Sequence, residues 1–331
     1  MGQVLESSRR DFVKGCVAGV VLARGASRIS PFFSTQEKSK VVIARDPRLR
    51  GTGVSVDSDR LLKMLDRSMQ SAYGTDSPLA AWKKVVRPGE VVGLKVNGLS
   101  GRGMSTSVPL VEAICERLRE AGIPQKDIVI WDRLNRDLET AGFRITSRQD
   151  RIRAIGNDTL GYEDELAIYG SVGSRIAKTL TQVCDAVINL PVLRDHGIAG
   201  VTIALKNMFG AIHNPNKYHI NVGDPYVADV NMLLPIRQKV RLHICDATTA
   251  QYEGGPPFMP QWTWPFNGLL VSTDPVALDS VGWQILETKR AEKGMKSLQA
   301  LGRAPNYVAT AADPQHQLGT NELGRIQQVE V

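Results

Sequence analysis

Cysteine is scarce in this chain. Cys16, Cys115, Cys184 and Cys245 are the only four in 331 residues, and none forms a C-x-x-C pair. That spacing disfavours a local iron–sulfur motif and a disulfide framework, although a single bridge stays open. After the first 23 residues, no run is apolar for the roughly 18 residues that a membrane span requires. A stable membrane span is therefore not expected. The sequence also lacks a Walker A loop, a G-x-G-x-x-G fingerprint and an H-E-x-x-H pair. Dense Lys/Arg blocks are missing as well. The formal charge is +7, but the first 33 residues hold five basic and two acidic side chains, and the rest is spread thinly. Nucleic acid is not an expected partner on that pattern.

What is present is an ordinary globular composition, 42% hydrophobic and 23% charged, long enough to bury a real core. The N-terminus is the exception. S-R-R-D-F-V-K, Ser8 to Lys14, precedes a nine-residue apolar run from Gly15 to Ala23, with Arg24 after it. The run is too short to cross a bilayer and suits the h-region of a signal peptide. The paired Arg9 and Arg10 resemble the twin-arginine export consensus, with a small-residue cleavage site near Ala23-Arg24-Gly25. A basic amphipathic helix is the plainer alternative. The expectation is a twin-arginine signal peptide and linker over residues 1–33, export in the folded state by the twin-arginine machinery, and a periplasmic or extracellular location. One α/β domain is expected over residues 34–331, with room for a subdomain between about 135 and 180.

Beyond Lys40, apolar β-branched runs of strand length recur: V-V-I-A, V-V-G-L-K-V-N, I-V-I-W-D, A-V-I-N-L-P-V, R-L-H-I-C-D-A and G-L-L-V-S-T-D. Nearly continuous apolar runs indicate strands buried on both faces. Between them lie helical patterns, one opened by Ser107 and Pro109 and closed by Gly122. The prediction is an α/β fold, a mostly parallel β-sheet flanked by helices on both faces. Ligands of such sheets gather at the carboxyl ends of the strands.

Three stretches place reactive side chains there. L-K-V-N-G-L-S-G-R-G-M-S-T-S puts Lys95, Asn97 and Arg102 around a glycine-containing loop before a capped helix, a candidate anion site. The plainer reading is a flexible turn. The stretch from Asn189 to His219 carries Arg194, Asp195, His196, Lys206, Asn207, His213 and His219. Three of the five histidines fall in it. They offer metal ligands or acid–base groups, and a buried Lys206 offers a titratable amine or an anion clamp. Taken singly, each has a plain structural role to set against this. The third stretch puts Asp246 at a strand end before a Pro-, Gly- and Trp-rich loop. Trp262 and Trp264 there suit a lid, or else a plug on the sheet edge. Thr273 and Asp274 follow another strand, where Asp before Pro equally marks a helix start.

Together these motifs resemble domain of unknown function 362. The resemblance runs through K-V-N, I-N-L-P, H-G-x-x-G-V-T-x-A-L-K-N-M-F-G, I-C-D-A with G-G-P, and S-T-D-P-V-A-L-D, over roughly residues 40 to 290. It implies no settled activity. Many relatives carry an added ferredoxin-like cysteine cluster, which this sequence lacks. The matching positions are Lys95, Asn97, His196, Lys206, Asn207, Asp246 and Asp274.

The chemistry of these residues sets the expectation. His196, Lys206 and Asp246 are the candidate catalytic groups. Lys95, Asn97, Arg102, Asn207 and Asp274 are candidates to hold an anionic cofactor or substrate. His196, His213 and Asp246 are candidate ligands for a divalent metal. The leading reading is an exported enzyme. A non-catalytic binding protein for a small anion or metal complex, or an accessory subunit of an exported redox complex, stays open.

Overall fold

Thirteen strands punctuate the computed structural model, which describes residues 38–51 and 55–331. The expected signal peptide lies outside the described residues. The strands are β1 Ser39–Arg45, β2 Val92–Lys95, β3 Ile128–Asp132, β4 Arg153–Gly156, β5 Ala167–Tyr169, β6 Val172–Ser174 and β7 Ala186–Asn189. They continue with β8 Val192–His196, β9 Gly200–Thr202, β10 Val240–Gln251, β11 Thr263–Trp264, β12 Gly268–Ser272 and β13 Ile326–Glu330. All but β5 and β6, a small hairpin, join one sheet whose main path runs β13-β1-β12-β10-β7-β2-β3-β4. From β10 to β4 every neighbour on that path is parallel, while β12 is antiparallel to both β10 and β1.

The continuous apolar runs are explained by two cores, one on each face of the sheet. Alternate residues of a strand point to opposite faces. Val42, Leu94, Ile130, Ile188 and Ile244 therefore pack with Leu61, Met64, Trp82 and Ile114 of the helices Ser58–Tyr73, Pro78–Val85 and Val108–Glu120. Val41, Val129, Trp131, Val187 and Cys245 meet the opposite layer, which includes Val281 of the helix Pro275–Glu292 and Val227 of the helix Tyr226–Met232. The protein is thus an α/β fold with a mostly parallel sheet covered on both sides.

Residues 135–180 form no unit of their own. They supply β4 and the β5–β6 hairpin, and Lys38–Val331 clusters as one compact unit. Cys115, Cys184 and Cys245 are free and buried. Among the described residues no helix is long and apolar enough to cross a membrane.

Candidate functional site

A cavity of about 360 Å3 opens at the carboxyl ends of β2 and β3, with β8, β9 and the short helix Ala204–Asn207 contributing to its wall. Lys95, the last residue of β2, is buried there. Its Nζ stands 2.8 Å from Asp132 Oδ1 at the end of β3 and donates to the carbonyl of Val96 at 2.7 Å. The other Asp132 oxygen accepts the backbone N–H of Gly98 at 2.7 Å. Gly210 closes over this pair. A Cβ at residue 210 would lie 2.6 Å from Lys95 Cε and 2.8 Å from Asp132 Oδ1, so a larger residue would push the pair apart.

Three asparagines lock the floor. Asn207 Oδ1 accepts from Asn97 Nδ2 at 3.0 Å, and Asn207 Nδ2 donates to Asn189 Oδ1 at 2.7 Å. Asn189 Nδ2 donates onward to the Ala204 carbonyl at 2.9 Å. The helix carrying Lys206 and Asn207 is capped from a distance: Asp279 accepts the N–H groups of Ala204 at 2.7 Å and Leu205 at 3.2 Å. Buried polar groups satisfied this fully hold a site rigid.

Lys206 differs from its neighbours. It is buried, its Nζ lies 4.0 Å from the centre of the Phe209 ring, and it has no hydrogen-bond acceptor or carboxylate partner among the described residues. Burial, helped by the charges of Arg194, Lys95 and Arg133, pushes its pKa down to about 7. Arg194 is buried completely enough that its pKa falls to about 10. Its guanidinium donates to the Pro256 carbonyl at 2.8 Å, to Asn97 Oδ1 at 3.2 Å and to Ser100 Oγ, yet it too has no carboxylate partner. The acids in the wall are already engaged, Asp132 by Lys95 and Asp137 at 4.0 Å from Arg133. Among the described residues, Arg194 and Lys206 are therefore two buried cations at the cavity with no ion-paired carboxylate, although the charges of Asp195 and Asp132 reach Arg194.

His196 stacks on His219 with ring centres 5.4 Å apart, and both line the cavity. Its Nδ1 accepts the backbone N–H groups of Ala199 at 3.1 Å and Ile198 at 3.2 Å. Burial and the nearby Lys206 and Arg194 charges push its pKa down to about 2. The ring is therefore neutral, and with Nδ1 occupied as an acceptor its proton sits on Nε2. A neutral imidazole in that tautomer donates a hydrogen bond and offers no free lone pair to a metal.

The structure brings together five of the expected residues: Lys95, Asn97, His196, Lys206 and Asn207. The others stand elsewhere. Asp246 accepts the N–H and Oγ–H of Ser107 at 2.8 and 2.6 Å and those of Thr248 at 2.9 and 2.7 Å. It anchors Ser107, the residue that opens the helix Val108–Glu120, and is taken up by that contact and by Thr248. Asp274 caps the helix Pro275–Glu292 through Val276 and Ala277. Arg102 is exposed near Gly142, and His213 is exposed with its ring against Tyr162. His196, His213 and Asp246 do not fit a shared metal site, and among the described residues no group of three His, Cys, Asp or Glu side chains stands ready to hold one. Trp262 and Trp264 pack on Tyr252 instead of closing the cavity; Pro256 from the same loop lines it.

Two cavity residues carry a sequence signal of the same kind as the expected ones: Asp132 closes the apolar run I-V-I-W-D, and Arg194 stands at the end of the I-N-L-P-V-L run. His219 and Phe209 reach the cavity through turns that periodicity does not reveal.

A family model described as domain of unknown function (DUF362) matches residues 92–284, a narrower span than the motifs indicated. No curated protein matches the chain. The fold is similar to a solved structure from Thermotoga maritima, a Northeast Structural Genomics Consortium target, at TM-score 0.41 and 10% identity. That similarity covers 61% of this chain and 53%, about half, of the other.

Proposed function

We propose, from the premise that this chain belongs to the family of domain of unknown function 362, that it is an enzyme binding a small anionic molecule at the carboxyl ends of β2 and β3. The observation that carries this reading is the pair of buried cations, Arg194 and Lys206, with no carboxylate of their own. An uncompensated charge in the interior is costly, and a fold keeps one where a ligand supplies the counter-charge. At about 360 Å3 the cavity lies near the lower end of the range for small-molecule sites, roughly 300–1,000 Å3. Arg194 and Lys206 attract the anion, the asparagine ladder fixes the floor, and His196 Nε2–H and the Lys206 amine are the groups for hydrogen bonding and proton transfer. A lysine titrating near neutral pH suits acid–base work.

The test uses the full chain, purified gently. Mass spectrometry of molecules released on denaturation should find an organic acid or a phosphate compound. Thermal unfolding in excess pyruvate or inorganic phosphate should show stabilisation, about 2.7 kcal/mol at one hundred times Kd. Lys206→Met should lose most of that gain. An empty protein that neither anion stabilises would sink the proposal. A ligand that is held but never chemically altered would turn the reading towards a non-catalytic binding protein.

The proposal includes export. Its motive is the Arg9-Arg10 pair ahead of the short apolar run. Replacing both by lysine should leave the protein in the cytoplasm, as read by fractionation; unchanged export would remove this part.

A further inference from the structure

We propose that Lys206 is an amine nucleophile that forms a covalent imine with a small carboxylate bearing an adjacent carbonyl, a 2-oxo acid. This rests on the anionic-ligand reading above and names the substrate class within it. The argument begins with the contrast between the two lysines of one cavity. Lys95 is pinned, its Nζ held by Asp132 at 2.8 Å and by the Val96 carbonyl at 2.7 Å. Among the described residues Lys206 has neither kind of partner; its Nζ faces the Phe209 ring at 4.0 Å. A lysine meant only to clamp an anion gains nothing from an apolar burial beside other cations. An amine meant to attack a carbonyl needs that setting, because desolvation and neighbouring positive charge favour the unprotonated form. The pKa of about 7 agrees with this geometry. The carboxylate of the substrate would then answer the charge of Arg194, leaving its carbonyl to the amine. Thr202, also in the wall, has a buried hydroxyl oxygen without a partner.

The step is redox-neutral. The Nζ lone pair attacks the carbonyl carbon, a C–N bond forms, and the C=O π pair moves to oxygen. A proton passes from the new ammonium to that oxygen, giving a carbinolamine. The hydroxyl then leaves as water with the second nitrogen proton, and C=N forms. His196, with its proton on Nε2, is the wall group suited to donate a hydrogen bond to the oxygen as charge develops there.

The test is reductive trapping. Full-chain protein is incubated with pyruvate and cyanoborohydride, then read by intact mass and peptide mapping. The expected result is one reduced pyruvate per chain on Lys206, labelled about tenfold or more faster than the exposed Lys126. Lys206→Arg, which keeps the cation, should still be stabilised by pyruvate but take no adduct there. Lys206→Met, the second variant, should take no adduct there and, as above, lose most of the stabilisation. Stabilisation of the unmodified protein by pyruvate without an adduct on Lys206 overturns the imine and leaves the anion site standing. Labelling of surface lysines at the same rate as Lys206 also overturns it. Failure of both pyruvate and phosphate to stabilise the protein removes the anion-site reading, and the imine falls with it.

Discussion

Arg194 and Asp195 are neighbours in the chain, yet they open onto two very different charge clusters. Successive residues of β8 point to opposite sides. On the Asp195 side, two cations meet two acids. Arg303 donates to Asp195 at 2.7 Å and to Glu253 at 2.8 Å, Arg290 pairs with the other Glu253 oxygen, and the Gly255 N–H completes Asp195 at 2.9 Å. Arg290 also donates to the Tyr252 and Lys296 carbonyls at 2.7 and 2.8 Å. On the Arg194 side, neither Arg194 nor Lys206 forms an ion pair among the described residues, and the wall acid Asp132 is held by Lys95. A paired cluster completes itself and fixes loops in place, whereas the unpaired one is where the proposed anion would supply the missing charge. The two clusters differ in charge balance more than in burial.

Removing a cation should therefore act oppositely on the two sides. Arg303→Met strands the fully buried Asp195 carboxylate, and denaturant unfolding should show a loss of about 3–5 kcal/mol. Lys206→Met strands nothing, since its amine has no acid partner, and the same measurement should show no loss or a gain of about 1 kcal/mol. Equal losses in the two variants would break the comparison. The smallest effect comes from a third cluster, whose charge balance depends on pH. His316 bridges Asp229 at 2.9 Å and Asp313 at 2.8 Å. Burial works against its charged form, but the two carboxylates outweigh burial and hold its pKa above 6.5. A pKa raised on folding gives stability that is full below the unfolded value near 6.5 and is lost as pH rises through the folded value. His316→Gln should flatten that part of the stability–pH curve by about 1 kcal/mol or less, as followed by thermal unfolding. A curve identical to that of the unmodified protein would remove the cluster from this account.

Much of the frame is legible in the sequence. I-V-I-W-D, V-V-I-A and G-L-L-V-S read as strands because burial on both faces writes a continuous apolar run. Lys95, Asn97, His196, Lys206 and Asn207 were legible because they end or follow such runs. The misplacement of Asp246 and Asp274 has one physical cause. A carboxylate at a strand end looks the same in sequence whether it faces a ligand or a helix N-terminus, and only the packing decides which amides claim it. The stretch near 135–180, where the sequence leaves room for a subdomain, joins the main sheet because β4 pairs in register with β3, a pairing its polar loops do not reveal. The export signal is a reading of residues 1–33 alone.

The Asp246 contact also ties together distant parts of the chain. The carboxylate lies 139 residues beyond Ser107, so the residue that opens the helix Val108–Glu120 gains this anchor only from β10, which pairs with β7. A contact of that sequence separation carries a loop-closure cost and belongs to the class that slows folding. A fragment ending before Asp246 would carry the helix with Ser107 unanchored.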